Sequence, residues 1–212
     1  MIKLDKGPEP DILRKNGKRW LEEIDTAIAQ GVDAKKSVLG RYNHTSIKEA
    51  LLEETSRKCA YCESYVRHVT YGDIEHITPK SARPELRFVW RNLTIACDVC
   101  NTNKASHEGM FDPYDEDPSD CFQFEGPFIW GDPSHPSASV TERVIDLNRP
   151  DLIDRRIDRL KELRNLIEVI LSKPAEYRDI LLAQAEREVS NSTQYAGFAQ
   201  ATLHRILARI KK

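Results

Sequence analysis

The sequence predicts an α+β fold: a mainly helical chain around a small central module closed by four cysteines. Three observations carry this. Apolar residues recur at helical spacing before residue 56 and after residue 150. Cys59-Ala-Tyr-Cys62 and Cys97-Asp-Val-Cys100 form two Cys-x-x-Cys pairs. Between them, Tyr65, Val66, Val69, Tyr71, Ile74 and Ile77 surround a Gly72-Asp73 turn and read as two short strands within 65–78. A chain of 212 residues, 40% apolar and 31% charged, can bury a core and is not composed like a disordered one.

Four segments follow from these patterns. Residues 1–56 form an N-terminal helical segment, 57–110 the central module, 111–150 an irregular acidic and aromatic connector packed on it, and 151–212 a C-terminal helical region. Trp20, Leu21, Ile24 and Ile28 predict a helix over 18–30, with Gly31 at its C-terminal cap. Ser46-Ile-Lys-Glu49 is a capping-box pattern and predicts a second helix from Ser46 toward Arg57. A third helix opens near the second cysteine pair, within 96–107. In the connector, Cys121–Phe124 and Phe128–Trp130 read as extended. From Asp151, the residues Leu152, Ile153, Ile157, Leu160, Leu163, Leu166, Ile167 and Ile170 form an apolar stripe that Pro174 ends. A last helix spans about 193–211.

Several classes are disfavoured. No apolar run approaches the ~20 residues of a membrane span. The first residues lack the apolar core of a signal peptide, so a cytoplasmic protein with no membrane association is expected. Net charge is −2, unlike a dedicated nucleic-acid coat. Charge is unevenly spread: Arg57 to Lys104 holds eight Lys/Arg against five Asp/Glu, while Glu108 to Asp120 holds six acidic residues and no basic one. The basic stretch suits phosphates.

The chemistry concentrates between Cys59 and His107. Four thiolates suit one structural zinc, held by Cys59, Cys62, Cys97 and Cys100 in a closed tetrahedron. The fifth cysteine, Cys121, reads as a small buried apolar residue. The 34 residues between the pairs exceed a minimal zinc ribbon and hold Glu75-His76 and Asn92. An imidazole titrates near ~6.5, so His76 can take a proton from water at neutral pH. Glu75 can hold magnesium, which prefers oxygen ligands. Neighbours on a strand face opposite ways, so both act at one site only if the strand ends there; Thr78-Pro79 predicts that end. On the helix, Cys100 can face zinc while Asn101 turns its amide oxygen to the magnesium. Lys104, three residues on, lies on the Asn101 side and suits a phosphate. Taken singly, each is ordinary: a surface pair, a cap, a solvated lysine. The ordered set is not.

This set resembles the HNH, or ββα-metal, endonucleases: Cys-x-x-Cys, acid-His, Asn-Leu, then Cys-x-x-Cys-Asn-x-x-Lys. Asn101 stands where many members have histidine, and Glu75 where aspartate is more usual. The resemblance implies a metal-dependent phosphodiesterase, with magnesium or manganese as catalytic ion. His76 would be the general base, Asn92 would orient the loop or the imidazole, and Lys80 would join Lys104 on the substrate backbone. DNA is the favoured substrate and RNA remains open.

A narrower resemblance covers most of the chain. Ile2-Lys3-Leu4 with Pro10, Leu13 and Trp20, the string Ile74-Glu-His-Ile-x-Pro79-Lys80-Ser81, and Val144-Ile-Asp-Leu-Asn148 with Leu152 and Arg155 look like the PtuB nucleases of Septu and retron-associated anti-phage defence systems. That resemblance implies an ABC-type ATPase partner (PtuA-like) and admits a retron-derived nucleic acid as another. His107 and His68 are read as structural or exposed. The competing reading is a non-catalytic zinc-clasped module that binds nucleic acid or docks a partner. It leaves Glu75, His76, Asn92 and Asn101 without a purpose.

Overall fold

A computed structural model describes residues 1–66 and 72–210. Helix α1 (Asp11–Ala29) buries Leu13, Gly17, Trp20 and Ile24 along one face. It starts about two turns earlier than the apolar spacing suggests, because Gly17 interrupts the pattern. There the helix meets residue 88: a Cβ on Gly17 would lie 3.2 Å from the Phe88 carbonyl oxygen. Trp20 packs edge-on to Phe88, with ring centroids 5.4 Å apart. At the C-terminal end Gly31 takes φ +69°. The Val32 amide then donates to the Ala27 carbonyl at 2.9 Å and the Gly31 amide to Ile28 at 2.9 Å, a Schellman closure.

After a single turn, α2 (Lys36–Leu39), comes α3 (Thr45–Glu54), with Ile47, Leu51 and Leu52 fully buried. Its N-cap is His44 rather than the expected Ser46. The His44 Nδ1 accepts the Ser46 amide at 3.2 Å, so Ser46 sits inside the first turn. Two left-handed residues, Ser56 and Arg57, then turn the chain into the first cysteine knuckle.

The central module consists of β1 (Asp73–His76), β2 (Leu93–Ala96) and α4 (Asp98–Lys104). β1 and β2 pair antiparallel, Asp73 opposite Ala96 and His76 opposite Leu93. Among the described residues the partner of β1 is therefore the segment just before the second knuckle. Tyr65 makes an isolated bridge to Lys58. His68, Val69 and Tyr71 lie outside the described residues.

The connector is more regular than expected. A short helix α5 (Pro118–Cys121) leads into the hairpin β3 (Phe122–Glu125) and β4 (Phe128–Gly131), and a ten-residue helix α6 (Pro136–Ile145) follows. Both extended stretches lie within a residue of where the sequence places them, with Cys121 closing α5 instead; α6 is not foreshadowed. It buries Ala138, Thr141 and Ile145, too weak a stripe to announce a helix. Contact with β4 holds it in place: a Cβ on Gly131 would fall 2.4 Å from the Ser139 amide nitrogen. The side-chain amide of Asn148 clamps the hairpin, donating to the Ile129 carbonyl at 2.8 Å and accepting its amide at 3.0 Å.

Helices α7 (Pro150–Leu171), α8 (Ala175–Glu188) and α9 (Ala196–Ile210) complete the chain. Leu163 and Ile167 of α7 pack with Val189 and with Ala199 and Leu203 of α9 in a small core. The main core joins Met1, Leu13, Leu51, Leu93, Ile95, Ile145, Leu152 and Phe198. The α+β class expected from the sequence is the one observed: helices around two small two-stranded sheets. Among the described residues no helix is long and apolar enough to cross a membrane.

Candidate active site

The two knuckles converge. The ligand atoms of Cys59, Cys62, Cys97 and Cys100 all lie within 4.8 Å of one another. Cys62 Sγ and Cys97 Sγ are 3.8 Å apart. A tetrahedral ion with thiolate bonds of ~2.3 Å has sulfur–sulfur edges of about 3.8 Å, so the set fits a closed four-thiolate site. Backbone bonds hold the arms: Ala60 N donates to Ile95 O at 2.9 Å, tying the first knuckle to β2. Cys97 is the N-cap of α4. Arg149, not anticipated from sequence, places Nη1 and Nη2 each 3.8 Å from Cys100 Sγ. Its charge would offset the excess negative charge of four metal-bound thiolates.

His76 is the last residue of β1 and 3% exposed. Its Nε2 lies 3.0 Å from the Arg87 carbonyl. A carbonyl only accepts, so Nε2 carries the proton and Nδ1 keeps its lone pair. The Tyr42 ring packs edge-on to the imidazole, centroids 4.6 Å apart. Burial lowers the His76 pKa to about 4, with the Lys80, Arg87 and Lys104 charges adding and the Arg87 carbonyl opposing. The imidazole is therefore neutral at pH 7.

This shift has a consequence for stability. Unfolded His76 would bind a proton near pH ~6.5, whereas folded His76 waits until about 4. Between those values the unfolded state holds more protons, so the contribution is full above ~6.5 and falls as pH drops toward 4. It totals about 3 kcal/mol, with about 2 kcal/mol lost by pH 5. Denaturant unfolding of wild type and His76→Gln at pH 7 and pH 5 should show the wild-type advantage shrinking by that amount. A pH-independent difference would contradict the assignment.

Asn92 holds the loop after β1. Its Oδ1 accepts the Thr78 amide at 2.8 Å, and its Nδ2 donates to the carbonyls of Thr78 at 3.0 Å and Leu86 at 3.3 Å. It bonds the loop, not the imidazole. Lys80, half-buried, donates to the Tyr42 hydroxyl at 3.1 Å.

The opposite face of β1 carries Asp73 and Glu75, two residues apart. Asn101 Nδ2 donates to Asp73 Oδ2 at 2.9 Å, which leaves its Oδ1 outside that bond. Asp73 is not among the residues expected from sequence, although its i, i+2 relation to Glu75 is the signal that points to it. Glu75 is 7% exposed, and burial raises its pKa. Nearby, the Tyr61 hydroxyl is buried with no hydrogen-bond partner. Burial first, then the Glu75 charge, raises its pKa. An orphaned hydroxyl under the influence of the Glu75 carboxylate fits a hydrated hard cation.

Lys104 differs from its expected outward position. It is fully buried, and its ammonium donates to Glu75 Oε1 at 2.6 Å and the His76 carbonyl at 2.8 Å. Helical spacing from Asn101 was a poor guide, because α4 packs this side against β1. Lys104→Met leaves a buried carboxylate without its partner and should destabilise the protein by about 3–5 kcal/mol at neutral pH. Urea unfolding checks this, and a loss below 1 kcal/mol would contradict it. His107 closes α4, its Nδ1 2.9 Å from the Lys104 carbonyl.

Residues 59–107 match the family model described as HNH endonuclease. This segment is an HNH endonuclease domain. The HNH domain is the two-strand, one-helix unit just described with its four-cysteine clasp. The chain is also similar to Septu protein PtuB of Bacillus thuringiensis, 41% identical over 68 residues, covering 32% of this chain and 26% of that protein. A second similarity, to Septu protein PtuB of Bacillus mycoides strain KBAB4, is 26% identical over 168 residues, covering 59% of this chain and 55% of that protein. The chain thus spans between a quarter and about half of the length of these relatives.

Proposed function

We propose that the chain is a metal-dependent endonuclease and the nuclease subunit of an anti-phage defence complex with an ABC-type ATPase. The observation that carries the first part is a neutral, proton-accepting His76 inside the HNH domain, on the residue where β1 ends, next in sequence to Glu75 and with Asn101 bonded to Asp73 of the same strand. The likeness to Septu protein PtuB supports the second part.

In this reading the four cysteines hold a structural zinc. Glu75 and Asn101 hold magnesium or manganese, with Asp73 beside them. The bound ion supplies Lewis-acid stabilisation of charge on the phosphoryl oxygens and the leaving group. His76 takes the proton of a water at Nδ1 while Nε2–H stays on the Arg87 carbonyl, which fixes the ring. Asn92 keeps the 77–92 loop closed around that ring. Lys80, freed from Tyr42, meets the substrate backbone. Lys104 acts through Glu75: it holds the carboxylate in place rather than gripping a phosphate.

His76 lies under Tyr42 and is nearly inaccessible. That supports a restrained nuclease whose partner admits substrate. Plasmid, single-stranded DNA and RNA should be offered to the purified chain with magnesium, manganese or chelator, with and without the co-expressed ATPase. Metal-dependent cutting supports the nuclease, and cutting only with the ATPase supports the complex. No cutting in any lane by folded, zinc-loaded protein would leave a binding module instead.

A further inference from the structure

Outside the HNH domain, three other candidate ligands meet. The side chains of Glu116, Cys121 and His135 bring their ligand atoms within 4.8 Å of one another. They come from the loop before α5, the last residue of α5, and the N-cap of α6. We propose that they form a second cation site, of the zinc class, at the base of the β3–β4 hairpin.

The donor chemistry points to zinc. A thiolate, an imidazole and a carboxylate are its three protein donor types. With one divalent ion, the two anionic ligands leave the site electrically neutral. Three protein ligands leave a fourth position for water, unlike the closed set of four thiolates. Oxygen-preferring magnesium or calcium would not select a cysteine.

The framework sets the ligands independently of any ion. Asp132 N donates to Cys121 O at 2.9 Å, and His135 N donates to Asp132 O at 2.9 Å. These two backbone bonds fix Cys121 and His135 relative to each other. The His135 ring is oriented by Ser134 Oγ, 3.1 Å from Nδ1, and Ser134 Oγ donates to Asp132 Oδ1 at 2.6 Å. A carboxylate–hydroxyl–imidazole chain of this kind is how proteins orient a histidine toward a metal. Cys121 is 2% exposed, with Sγ 3.8 Å from Glu116 Oε2. A plain thiol–carboxylate hydrogen bond would account for that pair. It would not account for the imidazole held beside it.

An ion here would staple the hairpin base to the start of α6. The other end of α6 reaches the nuclease helix, where Asn103 Nδ2 donates to the Ile145 carbonyl at 2.9 Å. The second ion would thus brace the HNH domain from behind without touching its chemistry. Glu116 is exposed and His135 half-exposed, so the ion exchanges with solvent more readily than one in the clasp.

The test is zinc stoichiometry, read by elemental analysis of the full chain equilibrated with zinc and then with a graded chelator. Wild type should hold two equivalents, one released at least tenfold more readily. Cys121→Ser and His135→Ala should hold one, with unchanged far-UV circular dichroism. Glu116→Gln alters an exposed side chain and should fold regardless, yet lose at least tenfold in affinity for the weaker equivalent. Added zinc should raise the melting temperature of wild type above that of the one-equivalent form, and should do nothing for Cys121→Ser. One equivalent in zinc-saturated wild type would overturn the site. So would two equivalents, with unchanged release, in Glu116→Gln and His135→Ala. Neither result depends on whether the protein cleaves nucleic acid.

Discussion

His76→Ala should cleave nucleic acid about 10²–10⁴-fold more slowly than wild type, the range a positioned general base contributes. The geometry singles it out. Its Nε2 is committed to the Arg87 carbonyl, its Nδ1 is free to accept, and burial keeps it neutral. Truncation also removes a ring that packs on Tyr42, so some stability goes with it. His76→Gln, which fills more of the space, separates the two effects. Both variants should retain zinc and bind substrate, with the loss confined to the cleavage rate. A clean His76→Ala protein cutting at the wild-type rate would remove His76 as the base.

Cys97→Ser should fail in the opposite order: stability first, activity as a consequence. Apparent binding free energies of structural zinc reach about 10–16 kcal/mol in small zinc modules, so losing a thiolate ligand threatens folding itself. Cys97 joins β2 to α4 as the N-cap of that helix. Without the clasp, α4 loses its anchor, and Asn101 and Lys104 lose their registration against Asp73 and Glu75. The variant should purify with less zinc and melt well below wild type. A chelator strong enough to strip the clasp should reproduce the effect in wild type. A zinc-free, stable and active Cys97→Ser protein would show that the clasp does not hold the domain together.

The contrast between these variants mirrors what could be read at each level. The HNH pattern is legible because its parts are local: two thiols three apart, an acid beside a histidine, an asparagine before a leucine. Their chemistry is a property of residue type and short spacing. The helices of the two ends are legible for a similar reason, since an apolar stripe at a 3.6-residue period needs no partner to be seen. β2 is harder, because all four of its residues are buried and its alternation is lost. Helix α6 is harder still, because its buried face is mostly small or polar and depends on Gly131 admitting its backbone.

By itself the sequence determined the four-cysteine cluster, the acid–histidine pair and the helical character of both flanks. Only the tertiary structure decided direction. Lys104 turns inward because Glu75, 29 residues earlier on β1, faces it. Asn92 bonds the Thr78 loop, and His76 sits beneath Tyr42. Cys121 finds Glu116 and His135 through a hairpin. Such partners are set by which surfaces meet when apolar faces are buried, and that long-range pairing leaves no short-range mark on the chain.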